Sequence, residues 1–101
     1  YMLHGVRYTV NTWKEMLIQV CGHILIEKRS TIEWLCANEK CSFSATPEEW
    51  RRELAPGMYV WTDNSTATKI NILHSMFEEC NIPASELVFE FRSDQEGEDE
   101  K

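Results

Sequence analysis

Hydrophobic and polar positions change period twice between Gly57 and Arg92. Met58-Tyr59-Val60-Trp61-Thr62 is rich in aromatic and β-branched residues and follows the turn pair Pro56-Gly57, which predicts a strand. Asp63, Asn64 and Ser65 then offer side-chain acceptors for the free N–H groups of a first helical turn. Ala67, Ile70, Leu73, His74, Phe77 and Cys80 recur at steps of three and four, the spacing of one helix face. Asn81 suits the left-handed position past a helix end, and Pro83 cannot extend the helix. Leu87, Phe89 and Phe91 alternate with Val88, Glu90 and Arg92, as in a strand with one buried face. Read together, these signals predict a helix over 65–81 joining adjacent parallel strands at 58–62 and 86–92 by a right-handed crossover.

The same reading runs upstream. Val6, Tyr8 and Val10 alternate with Arg7 and Thr9, predicting a first strand. Thr12 and Glu15 form a capping box ahead of Trp13, Met16, Leu17, Val20, Cys21, Ile24 and Leu25, an unbroken helical stripe. Gly22 inside it costs about 1 kcal/mol relative to alanine, which points to a close approach by a neighbouring element. Ser30 with Glu33 predicts a second capping box and a short helix, with Ile32 and Leu35 inward and Trp34 on its flank. Residues 40–44 read as a brief strand. Thr46-Pro47-Glu48-Glu49 reads as a helix start, with an N-cap, a proline at the first position and acids in the first turn. Trp50 and Leu54 would be its apolar residues and Pro56 its end. The expected order is β-α-α-β-α-β-α-β, a single α/β domain over residues 1–92, with α+β as the alternative class.

Charge alters this picture at one end only. Of the net −7, residues 93–101 carry −4 from five acids and one lysine, leaving −3 on residues 1–92. Residues 93–101 contain no large apolar side chain and are expected to form a disordered acidic tail. Neither part clusters the Lys and Arg that non-specific phosphate binding needs. No apolar run reaches the roughly 18 residues of a membrane span, and no basic-then-apolar leader precedes the first strand. These features predict a cytoplasmic chain with its four cysteines reduced. Cys36 and Cys41 are spaced more loosely than a metal knuckle, so no metal or other cofactor is expected. The chain opens on Tyr1 rather than Met, which fits a piece of a longer protein.

Candidate chemistry is sparse. His4 lies near the terminus, His23 borders the first helical stripe, and His74 falls on the later one. No cysteine and histidine share a helix at a spacing that pairs them. An enzyme needs a nucleophile, base or metal set, and none is visible, so a non-catalytic role is expected. The best binding loop is 62–69, where Asn64, Ser65, Thr66 and Lys69 surround a helix start that offers N–H groups, hydroxyls and one cation to an anion. It lacks the glycines of a phosphate cradle, and Asp63 would repel phosphate. Four tryptophans are many for 101 residues. Trp13 fits the core. Trp34, Trp50 and Trp61 are harder to bury together, and exposed aromatic anchors dominate protein interfaces.

Three segments carry a family likeness: Asn11-Thr12-Trp13-Lys14-Glu15-Met16-Leu17, Cys41-Ser42-Phe43-Ser44, and Tyr59-Val60-Trp61-Thr62-Asp63-Asn64-Ser65. Their order over residues 6–92 resembles a small C-terminal module of larger prokaryotic proteins, several of them restriction-like or defence-related. The resemblance implies an accessory role and carries over no catalytic residue. The expected function is therefore a protein-interaction module, contacting a partner protein or its own parent chain. The alternatives are a nucleic-acid-binding accessory domain that uses 62–69 and a stand-alone acidic inhibitor.

Overall fold

The structure, a computed structural model, describes residues 1–89. The chain runs β1 (Met2–Leu3), β2 (Val6–Arg7), α1 (Trp13–Glu27), α2 (Arg29–Ala37), β3 (Phe43–Ser44), β4 (Arg51–Ala55), β5 (Met58–Trp61), α3 (Thr66–Glu79), a 3-10 turn (Ala84–Glu86) and β6 (Leu87–Val88). The class is mixed α/β, with three helices around two small antiparallel sheets, ordered β2-β1-β6 and β3-β5-β4.

Helix starts follow local chemistry. The Thr12 hydroxyl accepts from the Glu15 N–H at 3.0 Å, and the Glu15 carboxylate accepts from the Asn11 N–H at 3.1 Å. Of the three candidate caps before α3, Ser65 is the one used, accepting from the Thr68 N–H at 3.1 Å. α2 departs from expectation: Lys28 stands at its N-cap, with no side-chain cap bond, and Ser30 lies inside the helix. The ends of α2 and α3 share one motif. Glu39 and Asn81 adopt φ of +53° and +60°. The following N–H groups, of Lys40 and Ile82, reach back to the Leu35 and Phe77 carbonyls at 3.0 and 2.9 Å.

Among the described residues the expected parallel pairing of 58–62 with 86–92 is absent. β5 is the centre of its sheet, with β3 and β4 both antiparallel to it, so both its edges are filled. β6 instead pairs antiparallel with β1, Met2 opposite Val88 and Leu3 opposite Leu87. The expected helix after Thr46 is also replaced. Its cues were local, but with Trp50 and Leu54 as the sole large apolar residues it had little face to bury, and a short isolated helix is marginal. Residues 51–55 fold back on β5 through Pro56-Gly57, with Gly57 at φ +79°, the sign a second central turn residue often needs. Hydrogen bonding along a two-residue hairpin costs little chain entropy and wins the segment. The expected first strand is shortened to β2, and β1 lies ahead of it. The part of the last strand past residue 89, and residues 93–101, fall outside the described residues.

One core joins the elements. Leu17, Val20, Cys21 and Ile24 of α1 meet Ile32 and Leu35 of α2, Phe43 and Val60 of the second sheet, and Leu73, Met76 and Phe77 of α3. The buried face of α3 is Lys69, Ile72, Leu73, Met76 and Phe77, so the expected stripe is rotated. Ala67 and His74 point to solvent. A Cβ added at Gly22 would meet nothing within 4 Å, so no close neighbour explains that glycine.

Candidate functional site

β5 alternates cleanly. Met58 and Val60 face the core, while Tyr59 and Trp61 face outward. Across the hairpin Trp61 stands opposite Arg51, and the Thr62 N–H donates to the Trp50 carbonyl at 3.0 Å. The two tryptophans therefore lie at the same end of the hairpin. The Arg51 guanidinium sits 6.0 Å from the Trp50 ring centroid and donates to the Thr46 carbonyl at 2.8 Å. Trp34 belongs to a second region. It projects from α2 with the Lys40 ammonium 5.9 Å from its ring centroid. Trp34, Trp50 and Trp61 are 48%, 45% and 36% exposed. Trp13 instead packs edge-on against Phe89 at 5.3 Å.

The expected anion loop is built differently from its sequence reading. Lys69 is only 6% exposed, and its ammonium donates to the Asn64 carbonyl at 2.6 Å. Burial and then Lys14 hold its pKa below the usual lysine value, with Asp63 opposing. The Asn64 amide nitrogen donates to the Trp61 carbonyl at 3.0 Å, and its buried Oδ1 has no partner among the described residues. Ser65 is engaged in capping, and its hydroxyl also donates to the Thr68 hydroxyl at 3.0 Å. Thr66 is exposed. The structure does bring Asn64, Ser65, Thr66 and Lys69 together, but the charge that was to meet an anion closes the loop's own backbone.

The four thiols, His23 and His4 are engaged within the fold. Cys21, Cys36 and Cys80 are buried free thiols, and Cys41 is a half-buried one. Burial is the main cause pushing each thiol pKa up, away from reactive thiolate. The His23 ring packs tilted against Tyr8, with centroids 4.6 Å apart. His4 holds Glu27 Oε2 at 2.7 Å through Nε2 and Glu86 Oε1 at 2.9 Å through Nδ1. The two carboxylates lie on opposite ring nitrogens and do not converge. Among the described residues no three His, Cys, Asp or Glu side chains form a group that could hold a metal ion, and no helix is long and apolar enough to cross a membrane.

The tryptophans are visible in the sequence, but their surroundings are not. Ser30, Thr31 and Trp34 share successive turns of α2, and with Glu79 from the end of α3 they line an open groove of about 340 Å³. The spacing of the first three was visible in the sequence; the arrival of Glu79 depends on how α3 packs. The chain matches no protein-family model, no curated protein and no solved structure.

Proposed function

We propose that this domain is a non-catalytic protein-contact module, acting through Trp34 on α2 and through Trp50 and Trp61 on the β4–β5 hairpin. The observation that carries this reading is that the core closes without these three indoles. A half-exposed tryptophan offers a large, rigid apolar surface that a protein partner can bury, and such anchors dominate binding energy. The accessory role implied by the family resemblance agrees with it. A nucleic-acid site at 62–69 has less support, because Lys69 is buried against its own loop and Asp63 lies beside it.

The test is retention of proteins from an extract of the source cells on the immobilised domain, before and after nuclease treatment. Trp34→Ala, Trp50→Ala and Trp61→Ala variants are compared with the parent. At least one variant is expected to weaken a specific protein contact by about 2 kcal/mol or more while its unfolding midpoint holds. Equal retention by all three variants, or retention that nuclease abolishes, would contradict the reading.

A further inference from the structure

We propose that the groove beside Trp34 receives an arginine side chain from a protein partner, stacked on the indole and paired with Glu79. This rests on the protein-contact reading and names the chemistry of one of its contacts. The groove has three kinds of wall: the half-exposed indole, the Ser30 and Thr31 hydroxyls, and the Glu79 carboxylate. It is a shallow depression open to solvent, with room for one side chain laid across it. The Lys40 ammonium rests 5.9 Å from the ring centroid, so an arginine stacked on the indole must displace it or take the rest of the ring face.

The end of α3 carries two acids, and the cations that act on the adjoining thiols, Lys28 and Lys40, come from other parts of the fold. Glu78 and Glu79 close a helix with no basic residue in its last turn, where the helix carbonyls already concentrate negative partial charge. Among the described residues neither carboxylate has an ion pair. Their field reaches the next loop. The Cys41 thiol pKa is raised by burial, then by Glu79 and Glu78, with Lys40 opposing between them. A cation docked here would pair with Glu79 and ease its repulsion with Glu78.

Guanidinium suits these walls better than ammonium. It is planar, stacks on an aromatic face, and donates in a fork to a carboxylate while spare N–H groups reach hydroxyls. A phosphate-bearing partner would meet Glu78 and Glu79 as like charges.

The probe is the blocked tripeptide acetyl-Gly-Arg-Gly-amide, titrated into the full 15N-labelled chain and followed by the indole and backbone N–H resonances. Saturable shifts are expected at the Trp34 indole and at the Ser30 and Thr31 amides, with a weaker response to the lysine peptide and none to the glutamine peptide. Glu79→Gln, a change at an exposed position whose fold the same spectrum verifies, should weaken binding about three- to fivefold, the scale of one exposed ion pair. No saturable shift, equal binding by Glu79→Gln, an equal response to the glutamine peptide, or the same shifts from a single-stranded oligonucleotide would each overturn the proposal. If these occur while capture of a protein still depends on Trp50 or Trp61, the contact reading stands and only the arginine site falls. If capture depends on none of the three tryptophans, both fall.

Discussion

A buried ammonium must find an acceptor, and Lys69 finds one in the backbone of its own loop, the Asn64 carbonyl at 2.6 Å. Replacing it with methionine keeps much of its bulk but strands that carbonyl. Lys69→Met is therefore expected to lower stability by about 1–3 kcal/mol, read from urea unfolding. An unchanged midpoint would mean that the bond contributes nothing. Gly22 tests the opposite sign. Its Cβ space is open and it sits inside α1, so Gly22→Ala should raise stability by about 0.5–1 kcal/mol on the same assay. At this scale the sequence was largely readable. Caps at Thr12 and Ser65 and the left-handed Asn81 follow from side-chain chemistry that acts over three or four residues. Lys69 was not readable, because its burial depends on the helix rotation rather than on its neighbours in sequence.

Between elements, α3 shows how an amphipathic stripe can be misphased. Leu73, Phe77 and Cys80 belong to either of two overlapping stripes, and packing selects the one that adds Ile72 and Met76. Met76→Ala should then cost about 2–5 kcal/mol. His74→Ala should stay within about 0.5 kcal/mol, as expected of an exposed position. Similar costs for the two would show that the helix is turned the other way. The N-terminal hairpin is linked to α1 and the 3-10 turn through His4. A neutral imidazole donates from one nitrogen only, yet both nitrogens of His4 face carboxylates, Glu27 of α1 and Glu86 of the 3-10 turn. The hydrogen bond to Glu86 is the largest cause raising the His4 pKa above 6.5, with burial opposing and Glu27 adding to the rise. A raised folded-state pKa means that stabilisation is fully present below the unfolded value and fades as pH climbs through the folded one. The thermal midpoint of the parent should therefore exceed that of His4→Gln below pH 6.5, with the gap closing as pH rises through the raised folded-state pKa. A constant gap would assign His4 a packing role alone. The β4–β5 hairpin shows why helix cues failed here. Thr46-Pro47-Glu48-Glu49 specifies how a helix would begin, but Pro56-Gly57 and the pairing register of β5 decide that the segment is extended.

Across the whole molecule, the class of mixed helices and strands was legible and the strand pairing was not. Periodicity reports which face of an element is buried. It does not report which edge of β5 is already filled, and that excluded the parallel partner. The surface follows the same rule. The number of tryptophans and the modest core weighed surface against core-edge positions evenly and did not decide between them. That Trp50 and Trp61 would share one end of a hairpin while Trp34 met Glu79 across a groove was not readable either. The most direct measurement is position-specific photo-crosslinking in the source cells, with a photoreactive phenylalanine analogue replacing Trp34, Trp50 or Trp61 in turn and Ala67, at the exposed start of α3, as the comparison. Discrete protein adducts are expected from one or more of the tryptophan positions and not from position 67. Nucleic-acid adducts at position 67, or protein adducts no different between position 67 and the tryptophan sites, would contradict the assignment of this domain as a tryptophan-anchored protein-contact module.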